Sequence, residues 1–167
     1  MISAIETYND TIEAQKNIAE TNRIKEEKHQ KKMAENAKYH CENFITQNIL
    51  KYKNLGYTSI SFEIIQPYSW SEDWRIVKYR GYYNSKSGGY YDPTYYGEAF
   101  DLDTMTSYLK DNGYSVYFND QPFEEATTQY GKYNASNKTK KVIVDWSNPN
   151  SSKSNKIPKF TVEIHFA

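Results

Sequence analysis

Residues 3–54 show the apolar spacing of a helix and contain neither proline nor glycine. A thin first stripe of apolar side chains is formed by Ile2, Ile5, Ile12 and Ala19. A wider second stripe is formed by Ala34, Ala37, Cys41, Phe44, Ile45, Ile49 and Tyr52. Ser3 and Glu6 have the spacing of a capping box, and Gly56 stands where a helix end favours positive φ. The pattern predicts one long helix, or two helices in tandem.

The stretch between the two stripes, residues 21–32, offers only Ile24 to a core and carries opposite charges at helical spacing. It separates Ile5 and Ile12 from the second stripe, which predicts an exposed helical arm over residues 1–32. Two interpretations stay open. The helix simply crosses from the core into solvent, or the arm needs a partner, such as a second copy of the chain, to bury Ile5 and Ile12.

The rest of the chain has the alternation of a sheet. Strands are predicted over 58–65, 74–79, 114–118, 141–146 and 159–166. In the first strand Ile60, Phe62 and Ile64 should face the core and the residues between them solvent. In the last strand the core-facing residues should be Phe160, Val162, Ile164 and Phe166. The polar stretch 147–158 predicts a long hairpin connection between the last two strands. For 122–130 a short helix is favoured over a strand.

One short helix is predicted over 100–113. Asp101 is its N-cap, Phe100 and Met105 have the spacing of a hydrophobic staple, and Asn112-Gly113 ends it. The fold class is therefore α+β: a long N-terminal helix and one short helix packed on a mostly antiparallel sheet of about five strands. We expect a single domain over 33–167 with a tyrosine-rich insertion at 68–96. One core should contain Cys41, Phe44, Ile45, Ile49, Phe62, Leu102, Leu109, Val144, Trp146, Val162 and Ile164.

Composition narrows the function classes. The 167 residues carry no net charge, which argues against a strongly basic protein that coats nucleic acid. No apolar run has the length of a membrane span, and a single cysteine excludes an internal disulfide framework. We therefore expect no membrane partner and a cytoplasmic location.

The tyrosine-rich segment is the most unusual feature, because seven of the 17 tyrosines lie between residues 79 and 96. Tyrosine among glycine and serine is typical of binding loops. The candidate partner-binding residues of this segment are Tyr79, Tyr82, Tyr83, Tyr90, Tyr91, Tyr95 and Tyr96, and Ile5 and Ile12 join them from the arm. The alternative is a hairpin with its turn near residues 87–89 whose tyrosines cover the outer face of the sheet.

Motifs for catalysis, metal binding or cofactors are lacking, so we predict neither an enzyme nor a cofactor. Cys41 lies on an apolar stripe, where an inert thiol is expected. Glu26 and His29 have the spacing of one half of a di-iron motif, but the sequence has no second copy of it. The acidic pair Asp101/Asp103 is explained by capping of the short helix, whereas the pairs Glu72/Asp73 and Glu124/Glu125 could meet in the fold. Lys138, Lys140 and Lys141 are candidates for binding single-stranded nucleic acid, a less favoured alternative because arginine is scarce.

The element order also carries a resemblance. A long charged helix ends in glycine before a strand (Gly56-Tyr57-Thr58-Ser59-Ile60), and a short helix ends in Asn112-Gly113-Tyr114 before two strands, the second ending in Trp146. This layout resembles small uncharacterised phage proteins of low-GC bacteria, and the resemblance implies a viral origin. The hypothesis is a binding protein that contacts a host or viral protein, for example as an inhibitor of a host defence factor. The alternative is a virion or assembly component.

Overall fold

The computed structural model describes residues 1–68, 70–79, 82–84, 86, 88–91, 93–120, 126–128, 131–133, 138–147, 160–164 and 166, with the backbone alone for 82–84, 89–91, 120, 126–128, 131–133 and 138. The helices are α1 (Ala4–His40), α2 (Thr46–Lys53) and α3 (Leu102–Asp111). The strands are β1 (Ser59–Gln66), β2 (Trp74–Tyr79), β3 (Tyr82–Asn84), β4 (Gly89–Tyr91), β5 (Thr94–Phe100), β6 (Ser115–Asp120), β7 (Ala126–Thr128), β8 (Gly131–Tyr133), β9 (Lys138–Asp145) and β10 (Thr161–Glu163).

The main sheet has six strands with β1 at its centre. Five strands run in the order β5-β2-β1-β9-β6, and each pairing along this path is antiparallel. β10 pairs with β1 in parallel, residues 161–163 against 59–61, on the edge that β1 shares further along with β2. β3-β4 and β7-β8 form two separate hairpins. The predicted α+β class with a mostly antiparallel sheet is confirmed.

The long helix begins as the sequence predicts. The Ser3 hydroxyl accepts a hydrogen bond from the Glu6 amide at 3.2 Å, and the Glu6 carboxylate accepts one from the Ser3 amide at the same distance. A π-helical turn over Cys41–Ile45 joins α1 to α2 without a break. Within this turn the Thr46 hydroxyl donates to the Cys41 carbonyl at 2.7 Å, which gives that oxygen a partner. Gly56 follows α2 with φ +88°.

The core lies between the second stripe, α3 and one face of the main sheet. All eleven residues predicted to share it do so, and Leu102, Trp146, Val162 and Ile164 are the four that stay partly exposed. Four rings meet at one margin of the core, which we call the ring cluster: the buried Phe44 and Phe62, the partly buried Phe166 and the more exposed Tyr96. The Phe44 ring centroid lies 5.0 Å from Tyr96, 5.3 Å from Phe62 and 5.6 Å from Phe166. Such ring pairs add attraction beyond the area that they bury.

The prediction that β1 is half-buried was wrong. Ser59 and Ser61, expected on a solvent face, are 0% and 3% exposed, and Ile65 on that face is also buried. The physical reason is the central position of β1, which pairs with β9 along one edge and with β2 and β10 along the other. The Ser59 hydroxyl is satisfied there by the Thr161 hydroxyl at 2.6 Å.

The predicted hairpin between the last two strands was also wrong. β10 does not pair with β9, because β1 lies between them. Residues 148–159 lie outside the described residues. Phe160, expected in the core, is 62% exposed, because strand β10 begins only at Thr161 and Phe160 is therefore outside the alternation of the strand.

Two further elements differ from the sequence prediction. Within 122–130, where a helix was favoured, residues 126–128 form strand β7, whose backbone bonds are satisfied by pairing with β8. β5 was not predicted, and it pairs with β2 inside the main sheet. Of the 68–96 segment, only β3 and β4 therefore form a separate sheet.

Candidate functional site

The N-terminal arm, residues 1–32, is exposed throughout except for the half-buried Ile12. Over that distance α1 is about 45 Å long at 1.5 Å per residue. Ile5 is 74% exposed, Tyr8 is 65% exposed and Ile18 is 61% exposed. Arg23 pairs with Glu20 and Glu27 on the helix surface, at the three- and four-residue spacing that favours a solvated helix.

The last turns of α1 are fastened to β5 and α3. The Asn36 side chain donates to the Ala99 carbonyl at 2.8 Å, and the His40 ring lies 2.7 Å from the Glu98 carbonyl through Nε2. The amide of Asp101 donates to the Met33 carbonyl at 3.1 Å. The arm is therefore held to the body of the protein at its base, residues 33–40, and, one turn further out, by His29, whose Nε2 lies 2.6 Å from the Asp73 carboxylate.

His40 and Cys41 are the buried titratable groups at this base. His40 is 1% exposed, and its Nδ1 has no hydrogen-bond partner. Because Nε2 lies against a carbonyl oxygen, it carries the hydrogen. A second proton on the buried Nδ1 would have no acceptor, which favours the neutral ring. Burial lowers the pKa of His40, and the bond to the Glu98 carbonyl opposes that shift only in part. Burial also raises the pKa of the Cys41 thiol to about 12, which keeps it protonated at neutral pH.

The depressed pKa of His40 predicts a pH dependence of stability. Above the unfolded value of about 6.5 the histidine is neutral in both states. Below that value the histidine is protonated in the unfolded chain but stays neutral in the folded chain. The free energy of unfolding should therefore fall as the pH falls, by at most about 1.4 kcal/mol per pH unit. This decline should continue until the pH reaches the pKa of His40 in the folded state. Urea titrations between pH 7.5 and 4.5 measure this decline.

The variant His40→Gln should show a smaller decline, since its amide can still donate to Glu98 but does not titrate. His29→Gln is the matched control because His29 is exposed on α1. The interpretation is contradicted if the wild type and His40→Gln lose stability in parallel.

The predicted tyrosines occupy three settings. Tyr79 ends β2 and is 44% exposed, Tyr95 lies under the Arg75 guanidinium at 4.8 Å, and Tyr96 belongs to the ring cluster. Tyr82 pairs with Tyr91, and Tyr83 with Tyr90, across the β3-β4 hairpin, whose side chains lie outside the description. The hairpin is confirmed, Tyr96 has a packing role, and a binding role of the others stays a prediction.

The lysines proposed for nucleic acid lie on β9. The Lys140 ammonium lies over the Trp74 ring at 5.5 Å and the Phe118 ring at 5.6 Å. Lys141 pairs with Glu163 at 3.3 Å. Lys138 pairs with Gln66 through the backbone, and its side chain is not described. The ammonium groups of Lys140 and Lys141 thus already have partners in the fold. This does not favour the interpretation that the lysines bind the phosphates of a nucleic acid.

Sequence reasoning missed two open depressions beside the base of the arm, with volumes of about 950 and 580 Å³. Tyr68 and Trp70, from the loop between β1 and β2, line both of them. Their rings stack at 4.8 Å with 22° between the planes, and Trp70 is 81% exposed. We call this pair the aromatic ridge. The only signal in the sequence was aromatic residues inside turn material, QPYSWSED.

The two depressions together form the acidic groove. Their carboxylates are Glu26 of α1, Glu72 and Asp73 of the loop, and Asp101 and Asp103 at the start of α3. Two of the acidic pairs noted in the sequence thus line one surface. Asp73 contacts His29 at 2.6 Å, and Asp101 caps α3 by accepting from the Thr104 amide at 3.0 Å. Lys140 is the only ammonium group along the groove's described lining.

The described ranges contain neither a metal-binding cluster nor a membrane-spanning helix. In that part of the chain no three histidine, cysteine or acidic side chains lie close enough to hold a metal ion. Nor does any helix there combine the length and apolar character needed to cross a membrane. Comparison with known proteins found no matching family model, curated protein or solved structure.

Proposed function

We propose that the protein is a non-enzymatic binding protein that acts by protein–protein contact and uses the N-terminal arm as a docking element. One observation carries this proposal: α1 extends about 33 Å beyond Glu26, the outermost of its residues that line the groove, with exposed isoleucines that the described part of the chain does not cover. A helix with so thin an apolar stripe gains most of its stability when another surface buries that stripe.

The arm has the side-chain spacing that helices use when they bind in a groove. Ile5, Tyr8 and Ile12 follow one another at intervals of three and four residues, so they lie on one face. Full burial of an isoleucine side chain is worth about 1.5–3 kcal/mol. Two isoleucines and a tyrosine therefore offer enough apolar contact for specific docking.

The resemblance to phage-type proteins suggests where to look for the partner. Under this proposal the protein acts in the cytoplasm of a bacterial host and occludes a host protein, with a defence factor as the specific form. In the alternative the same arm docks on a neighbouring subunit of a virion or assembly intermediate. The tyrosines of 79–96 would then provide a second contact surface in either case.

Charging the apolar face of the arm should abolish partner binding. In the double variant Ile5→Lys, Ile12→Lys, capture of specific partners from host extract should fall at least tenfold, because an ammonium group would have to be buried. The melting temperature should hardly change, since surface substitutions usually alter stability by about 0.5 kcal/mol or less. Quantitative mass spectrometry of captured proteins and thermal melting measure the two effects.

The control is Ala14→Lys, Asn17→Lys, which adds the same charge to the opposite face of the arm. Equal capture by both double variants would contradict docking through the apolar face. Light scattering of the full chain separates the partners. A dimer that only the Ile5→Lys, Ile12→Lys variant dissociates would identify a second copy as the occupant.

A further inference from the structure

We infer that the acidic groove binds an extended segment of a partner protein that carries arginine or lysine side chains. The inference rests on the proposed function only in assigning the ligand to a protein. It concerns a surface separate from the apolar face of the arm, and it starts from the aromatic ridge and the carboxylates around it.

Charge is the first argument. Five carboxylates line the groove against one ammonium group and one imidazole. Glu72 and Asp103 have no side-chain hydrogen bond or ion pair in the described structure, unlike Asp73 and Asp101. Because the field of the groove is negative, it attracts a cationic ligand and repels phosphate.

The aromatic ridge is the second and independent argument. Trp70 is 81% exposed, although tryptophan is highly buried on average. Its ring stacks on the Tyr68 ring at 4.8 Å, and the stacked pair presents an aromatic face to solvent. A guanidinium or ammonium group is attracted to such a face, and tryptophan attracts it most strongly. Tryptophan is also enriched among residues that dominate binding energy.

The shape of the groove selects an extended segment over a small cation. The two depressions share Tyr68, Trp70, Ser71, Glu72 and Asp101, and their carboxylates come from α1, the β1–β2 loop and α3. Within the described residues no three acidic or histidine side chains lie close enough to hold one ion, whereas successive side chains of an extended chain can contact carboxylates of different elements. Arginine fits best, because its planar guanidinium group can donate two parallel hydrogen bonds to one carboxylate and can also stack on an aromatic ring.

The test is a titration of the full chain with a labelled nine-residue peptide of alternating arginine and serine, followed by fluorescence anisotropy. Saturable binding is expected that weakens as salt is raised. The same peptide with glutamate in place of arginine should not bind. Trp70→Ala should weaken binding at least about tenfold. The double variant Glu72→Gln, Asp103→Asn should weaken binding and reduce its salt dependence.

Two controls keep the result specific. Tyr39→Ala removes an exposed ring on α1, and Asp111→Asn removes an exposed carboxylate from the other end of α3; neither should change peptide binding. Unchanged melting of Trp70→Ala shows that the variant folds.

Three results would overturn the inference: equal binding of the arginine and glutamate peptides, preferential binding of an oligothymidylate, or a self-association that Trp70→Ala abolishes. The first result leaves the arm experiment untouched, so failure of this inference can be told from failure of the proposed function.

Discussion

Replacing Phe44 with alanine should lower the free energy of unfolding by about 3–5 kcal/mol. Phe44 is 4% exposed, and its ring contacts Phe62, Tyr96 and Phe166. These three rings come from β1, β5 and the residues after β10, so they cannot close together over the space that the phenyl group leaves. Both the lost burial and the remaining cavity then contribute. Urea unfolding followed by circular dichroism measures the change.

The matched control is Leu50→Ala on the adjoining helix α2. Leu50 is 48% exposed, so its truncation should change stability by less than about 1 kcal/mol. Similar losses of unfolding free energy for Phe44→Ala and Leu50→Ala would contradict a core position of the Phe44 ring.

Replacing Gly97 with alanine should destabilise the fold by about 2–4 kcal/mol, the sum of a left-handed backbone and over-packing. Gly97 has φ +66°, and a Cβ built there would lie 2.6 Å from Cε1 of His40. The His40 ring cannot easily yield, because it is buried, contacts the Glu98 carbonyl and packs edge-on against Phe100 at 5.4 Å. The base of the arm would have to move away from β5.

Gly56→Ala separates the two contributions. Gly56 also has positive φ, at +88°, but its Cβ would meet nothing within 4 Å. Thermal unfolding should show a loss of about 1 kcal/mol for Gly56→Ala, from the backbone alone. If Gly97→Ala is no worse than this control, the close approach of β5 to His40 is contradicted.

Elements whose signals are local could be predicted from the sequence. α3 was recognisable because Asp101, Met105 and Gly113 mark its start, its buried face and its end within thirteen residues. β5 escaped recognition because Gly97 interrupts its alternation and tyrosines replace aliphatic residues. The position of β10 could not be predicted, since an alternating pattern gives the face of a strand and not its neighbour.

The candidate surfaces differ in the same way: the arm could be predicted from the local sequence, whereas the acidic groove could not. The signal of the arm is its thin stripe; Ile5 is exposed there, Ile12 is half-buried, and a binding role of either stays a prediction. The acidic groove could not be assembled from sequence, because Glu26, Glu72 and Asp103 are far apart along the chain and meet only through the fold. Trp70 looked like turn material, and its exposure becomes visible only when its neighbours in space are known.

The parallel pairing of β10 has a consequence for how the chain is made. Residues 59–61 of β1 find their partner, residues 161–163, about a hundred positions later. During synthesis residues 59–61 have both edges unpaired until residues 143–145 of β9 are made, and one edge unpaired until β10 follows. Unpaired strand edges are templates for association with other chains. The nascent protein is therefore most exposed to association through β1 before β9 is made.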